Sequence, residues 1–228
     1  MHDCKKCPIK SFNLLNNLNH DELDEVSRSK TVIKVKKGEQ LLEEGHAING
    51  MFCISKGKCK MTKLNSNGKE QIVKFTKQGD VLGHRSILSE EPIGLSATAL
   101  EDMEVCLIPK EQVLNAIKNN NRFSLQVMKN ISHQLSEANN NLSNMAQKSV
   151  RERLADIFLQ LEDIFGIDMD GNIDVQLTRE EIANTIGTAT ESAIRLISSF
   201  KKEGLIEIKG KHIKILKRKD LEHLSEGY

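Results

Sequence analysis

Glu191 and Arg195 stand four residues apart in TESAIRLISSF, so on a helix they share one face, a single turn from each other. A guanidinium fork suits the O6/N7 edge of guanine, and a carboxylate can accept from the amine of cytosine. An ordinary surface ion pair uses the same spacing, so the surroundings must decide. Thr178 and Glu181 form a Thr-x-x-Glu capping box, and Ile182, Ala183 and Ile186 give the following helix an apolar face before Gly187 stops it. Thr188 and Glu191 repeat the box, which predicts a second helix after a short turn. Two short helices joined through a glycine turn make a helix-turn-helix. In the second helix Ala193, Leu196, Ile197 and Phe200 would face inward, leaving Thr190, Glu191, Ile194, Arg195 and Ser198 outside. Past Gly204, LIEIK and HIKIL alternate around Gly210-Lys211, as the hairpin of a wing should. From Thr188 to Lys219 there are nine Lys/Arg against three Asp/Glu, the excess a phosphate-facing surface needs. These features point to DNA binding through Thr178, Arg179, Thr188, Thr190, Glu191, Ile194, Arg195, Ser198, Lys201 and Lys211.

Thiols are the second group able to do chemistry. Cys4 and Cys7 make a C-x2-C near the N-terminus, a spacing that can hold a metal but is weak alone. Five cysteines, an odd number without a disulfide-framework spacing, fit a reducing cytoplasm. Cys53 and Cys59 read as small core hydrophobes on strands, and Cys106 would pass as one too. The C-x2-C does not follow a strand of a βαβ unit, and the sequence has no Walker loop, Ser/His/Asp set or metalloprotease motif. Both points argue against the rival reading, a thiol-redox or nucleotide-hydrolysing enzyme. A ligand-binding interaction module without DNA binding is a third.

The elements that must carry these groups follow from periodicity. The chain of 228 residues is long enough for two domains, and its net charge of +1 hides a basic C-terminal region offset by acids from Asp156 to Asp174. No apolar run approaches signal-peptide or membrane-span length. Asn19 and Glu22 cap a short helix to about Ser27. From Thr31, TVIKVK, GMFCIS, GKCKMTKL, EQIVKF, LSATAL and EVCLI are short glycine-punctuated strands, with a hairpin at Asn65-Ser66-Asn67-Gly68. After Pro109 a long helical stretch begins. Met128, Ile131, Leu135, Ala138, Leu142 and Met145 recur at 3 and 4, a coiled-coil seam. Its first turns also serve to pack on the strands, while Leu142 and Met145 want a partner helix, most simply from a second subunit. RERLADIFLQLEDIFG then opens the DNA-binding domain.

This order resembles the Crp/Fnr family of bacterial transcription regulators over nearly the whole chain. The most specific stretches are KGEQLLEEG, MFCISKGKCKM, RERLADIFLQL and LTREEIANTIGTATESAIRLISSFKKEGLI. The resemblance implies an α+β fold: an N-terminal cyclic-nucleotide-binding-type antiparallel β-roll (jelly-roll), a long dimerisation helix and a C-terminal winged helix-turn-helix. The corresponding domains are 1–109, 110–147 and 148–228. It further implies a cytoplasmic homodimer that binds a pseudo-palindromic duplex site, works with RNA polymerase and has no membrane partner. Half-sites would be TTGAT-like, because Thr190 replaces the Arg with which cAMP-dependent relatives read an additional guanine. Ile194 departs from the Ser of the oxygen-sensing branch and could meet a thymine methyl.

In cAMP-binding relatives a Gly-Glu pair holds the ribose and an Arg-Ser pair the cyclic phosphate. Here the matching segment offers Gly83, His84, Arg85, Ser86 and Ser96, with His84 in place of the Glu and Leu95 in place of the Arg. Loss of that charge-assisted pair means cAMP is not expected. His84 is read as a hydrogen-bonded structural residue. Relatives resembling the fumarate–nitrate regulator hold a [4Fe–4S] cluster on C-x2-C-x5-C plus one Cys after the last roll strands. Cys4, Cys7 and Cys106 match three of those positions, and Asn13 stands at the other. An Fe–S cluster is the cofactor this resemblance allows, with its fourth ligand and the effector itself left open.

Overall fold

The computed structural model describes residue 7 and residues 14–66 and 68–227. Packing divides the chain into two units, residues 1–64 with 74–136 and residues 65–73 with 137–228.

The first unit opens with a 3-10 turn, Leu14–Asn17, and helix α1, His20–Ser29. The predicted box at α1 is present: Glu22 N–H reaches Asn19 Oδ1 at 2.9 Å and Asn19 N–H reaches Glu22 Oε2 at 2.7 Å. Eight strands follow: β1 (Thr31–Val35), β2 (Gln40–Leu42), β3 (Gly50–Lys56), β4 (Lys58–Leu64), β5 (Glu70–Lys77), β6 (Val81–Leu82), β7 (Ser96–Ala99) and β8 (Met103–Pro109). They form two four-stranded sheets, β1-β8-β3-β6 and β2-β7-β4-β5, and the pairings along them are antiparallel, the roll expected from the glycine-punctuated strands.

In the first sheet β3 is buried on both faces from Gly50 to Ile54. Phe52 and Ile54 belong to the core shared with Leu42, Cys59, Ala97 and Val105. Met51 and Cys53 turn the other way, into a layer with Leu14, Leu18, Leu23, Cys106, Ile108, Phe123 and Val127. This second layer is what α1 and the helices after β8 cover. A short helix α2, His84–Ser89, which periodicity did not disclose, sits between β6 and β7 and adds Ile87 to it.

The single long helical stretch expected after Pro109 is in fact two helices, α3 (Lys110–Asn119) and α4 (Asn121–Gln147). Asn120 breaks it. Its Oδ1 accepts from the N–H groups of Arg122 and Phe123, both at 3.0 Å, and its Nδ2 donates to Asn17 O and Glu22 Oε2. One side chain thus caps α4 and anchors it to the N-terminal turn. Phe123 and Val127 fix the start of α4 on the roll, and Ile131 packs against the same layer. From there the predicted seam stands in solvent: Met128, Leu135, Ala138 and Leu142 are exposed, Leu135 at 62 % and Leu142 at 71 %.

The second unit is helical with a hairpin: α5 (Val150–Phe165), α6 (Arg179–Ile186), α7 (Thr190–Lys202), β9 (Ile206–Lys209), β10 (His212–Ile215) and α8 (Arg218–Ser225). Ser149 and Glu152 box the start of α5. Phe158 of α5 meets Phe200 of α7 edge to face at 6.3 Å, and Arg151 lies 4.9 Å above the Phe200 ring. Arg153 Nε donates to Ile186 O at 2.8 Å and its Nη1 to Lys148 O at 2.6 Å, closing the ends of two helices with one guanidinium. The last helix, α8, is held to α5 by Arg218, which pairs with Glu162 and with Asp163 at 2.8 Å.

Candidate nucleic-acid interface and sensory cysteines

The interface is built from local rules, with one correction. Thr178 caps α6 as expected: Glu181 N–H donates to Thr178 Oγ1 at 3.1 Å and Thr178 N–H to Glu181 Oε2 at 2.8 Å. Gly187 takes the left-handed conformation at φ +66°, and Thr188 N–H bonds back to Ala183 O at 3.1 Å. That bond is the outer one of a Schellman exit, and it commits Thr188 to the end of α6. The second capping box therefore does not form; α7 starts at Thr190 with Ala189 at its N-cap and no side-chain cap.

Burial on α7 divides the faces as the sequence suggests. Ala193, Ile197 and Phe200 are buried and Leu196 is half-buried, while Glu191, Ile194, Arg195 and Ser198 are exposed and Thr190 is half-buried. Glu191 and Arg195 form no ion pair. Arg195 Nη2 instead lies 3.4 Å from Ser192 Oγ, leaving the rest of its fork to solvent. Lys201 and Lys211 are also exposed. Arg179, the first residue of α6, donates from Nη2 to Gly210 O at 3.2 Å and so ties the hairpin turn to the helix pair. Its Nη1 is buried without a protein partner, and burial lowers the guanidinium pKa. The sequence named Arg179 as a DNA-binding residue; its link to the turn needed the hairpin's placement.

The residues matched to an effector pocket are mostly engaged by the protein itself. Gly83 enters α2 at φ +87°, and a Cβ there would lie 2.2 Å from Ile48 Cδ1. Ser86 Oγ donates to Pro92 O at 3.3 Å, and Ser96 Oγ accepts from Glu44 N–H at 3.0 Å. Arg85 is exposed and its guanidinium packs over Gly94. His84 is 3 % exposed. Its Nε2 lies 3.5 Å from Gln134 Nε2 on α4, a distance at the edge of hydrogen bonding, and its Nδ1 has no partner. Burial pushes its pKa down to about 4, with Lys74 and Arg85 adding repulsion against a contact to Asn130 that favours the charged ring.

The cysteines divide by layer. Cys59 belongs to the core between the sheets, 2.8 Å from Thr76 Oγ1, and burial pushes its thiol up to about 11, an inert structural group. Cys7, Cys53 and Cys106 share the other layer, Cys7 half-buried at its edge. None of these four is in a disulfide. Among the described residues no three His, Cys, Asp or Glu side chains converge as a metal site. Cys4, the other half of the C-x2-C, and Asn13 lie outside the described residues.

With that geometry in hand, comparison with known proteins decides the family. Residues 32–120 match the cyclic nucleotide-binding domain, and residues 152–224 match the Crp-like helix-turn-helix domain. The chain is 31% identical to Electron transport regulator A of Shewanella oneidensis over 98% of its own length and 89% of that protein. It belongs to the Crp/Fnr family. A second Crp/Fnr relative, the fumarate and nitrate reduction regulatory protein of Vibrio cholerae, is 28% identical over 97% of this chain and 90% of its own. Among solved structures, FixK2 from Bradyrhizobium japonicum shares the fold with a TM-score of 0.77 at 23% identity, covering 86% of this chain and 96% of that one. A putative Crp/Fnr regulator from Eubacterium rectale gives 0.77 and 23% over 94% of this chain and 98% of its own. The protein is thus a DNA-binding transcription regulator of Crp/Fnr type, with a roll, a long helix and a helix-turn-helix. Among the described residues no helix is long and apolar enough to cross a membrane.

Proposed function

We propose that this regulator acts in the cytoplasm as a homodimer, joined along α4, on a two-fold pseudo-palindrome with TTGA-like half-sites about 10–11 base pairs apart. Its output is DNA occupancy and contact with RNA polymerase, not catalysis. The carrying observation is the division of α7, with Ala193, Ile197 and Phe200 buried and Glu191, Ile194, Arg195 and Ser198 in solvent. An exposed helix face with an Arg fork beside a basic hairpin suits major-groove readout. Lys201 and Lys211, both exposed, are suited to phosphates. Selection from random duplexes should return such a palindrome, and binding should weaken steeply with salt. An output of unrelated sequences, bound without salt dependence, would refute the assignment.

For sensing, the donor chemistry of Cys7 and Cys106 fits an oxygen-labile Fe–S cluster: both sulfurs belong to one apolar layer, and the motif adds Cys4 by spacing. When bound, such a cluster supplies reactivity toward oxygen that no side chain here has. The chain's part is to hold it and to transmit its presence. Cys106 lies on β8, which runs through Pro109 directly into α3 and then α4. Tying the N-terminal segment to β8 therefore acts at the root of the dimer helix, a two-state element a sensor can bias. cAMP is not the effector in this reading, since Ser86 and Ser96 are occupied by backbone partners and Leu95 offers no guanidinium.

A further inference from the structure

The wing carries one of the two lysines suited to phosphates, and its tip has a choice of conformations. Lys209 on β9 pairs with His212 on β10, which leaves Gly210 and Lys211 as a two-residue turn. Gly210 has φ +62°, while Lys211 keeps a negative φ. Positive φ at the first central residue alone is the type II′ pattern; type I′ needs it at both. The two turns differ by a flip of the peptide that joins Gly210 to Lys211, which reverses its carbonyl and re-aims the lysine. That carbonyl lies outside the ladder, so the strands do not hold it. Arg179 does: its Nη2 donates to Gly210 O at 3.2 Å, a reach from the first turn of α6 to the tip of the wing. Nη1 of the same guanidinium is buried, so the outer end of the fork is taken up inside the domain. Lys211, by contrast, stands exposed.

We infer that Arg179 is the positioning residue of the wing: it locks the Gly210–Lys211 peptide in one orientation and so aims Lys211 at the DNA backbone, without itself touching a phosphate. This rests on the reading of Lys211 as a phosphate contact given above. The lock acts on the tip alone, because the body of the wing is held elsewhere. Ile173 N–H donates to Ile213 O at 2.8 Å, Lys214 Nζ donates to Asp170 O at 3.2 Å, and Gln176 Nε2 lies 3.1 Å from His212 Nε2. Thr178 keeps its box with Glu181, so the start of α6 does not depend on the bond either. Removing the Arg179 side chain therefore leaves β9, β10 and α6 in place and releases one peptide. A lysine on a turn that flips must be ordered at each binding event, a cost that the lock removes beforehand.

The test measures binding of the full-length protein to a mixed-sequence duplex over a range of salt, since phosphate contacts are independent of sequence. Lys211→Ala should lower the salt slope by about 0.9 per subunit. Arg179→Met should weaken binding by roughly 2- to 13-fold per subunit, the cost of ordering one long side chain. In the Lys211→Ala background the same substitution should change neither affinity nor slope, whereas in the Lys201→Ala background it should keep its full effect. A loss of affinity added in both backgrounds would mean a disturbed domain and would overturn the inference. A further fall in slope of about 0.9 when Arg179→Met joins Lys211→Ala would make Arg179 a phosphate contact in its own right, and overturn it as well. An Arg179→Met protein that binds as wild type does the same but leaves the reading of Lys211 standing. An unchanged slope in Lys211→Ala removes that reading and the inference with it.

Discussion

With Leu135 replaced by Glu, the protein should sediment as a monomer and lose nearly all affinity for its palindrome. Leu135 is 62 % exposed on one chain, and with Met128, Ala138 and Leu142 it makes an apolar stripe that stands exposed among the described residues. The stripe repeats at 3 and 4, the spacing by which parallel helices mesh. A two-fold axis would set each Leu135 near its own copy, so the substitution buries two like charges in one interface. The wild-type side chain is in solvent, so folding of the monomer is untouched, and circular dichroism should show the same helix content per unit. The DNA consequence is larger than the change itself. One half-site must then hold one helix-turn-helix alone, without the second subunit to multiply its affinity. A variant that remains a tight dimer would mean the stripe serves another partner.

Arg195→Ala should weaken the specific site by about 1–3 kcal/mol, roughly 5- to 150-fold per half-site, and relax the preference at the guanine it contacts. The guanidinium is exposed on α7, held at one corner by Ser192 and not neutralised by Glu191. Little has to be broken before it can fork onto a base. Lys201→Ala is the control, because an exposed lysine at the far end of α7 should act on phosphates and weaken all sequences alike. Selection of binding sites by each variant separates the two, and an unchanged motif for Arg195→Ala would remove that residue from the readout.

What was legible in the sequence was local. The Thr178–Glu181 box, the Gly187 stop and the wing around Gly210 each depend on residues within a few positions, and each formed. The Thr188 box failed because the Schellman exit of α6 competes for the same residue. Asn120 could have been read as a cap from its place before Arg122 and Phe123, and its omission merged α3 with α4. The short strands β2 and β6 gave no periodicity to detect. The cysteines mark the harder limit. Cys53 and Cys59 look equivalent on alternating strands, and only the pairing of β3 with β8, 53 residues apart at Cys53 and Cys106, tells which layer each enters. The closing helix α8 was missed as well, since its anchor, Arg218, finds its acids on α5.

His84 also sets how the folded protein meets acid. With its folded pKa at about 4 and the ordinary imidazole value of 6.5 in the unfolded chain, only the unfolded chain takes up the proton between those pH values. The folded state is thus fully favoured above pH 6.5 and loses ground as pH falls, by up to about 1.4 kcal/mol per pH unit and roughly 3 kcal/mol in all. Urea midpoints measured from pH 7 to 5 should slide downward in wild type and stay flatter in His84→Gln. An equal slide in both would place the acid sensitivity elsewhere. Because the ring opens α2 and lies beside Gln134, half-way along α4, its protonation would place a charge in the contact between the roll and its long helix.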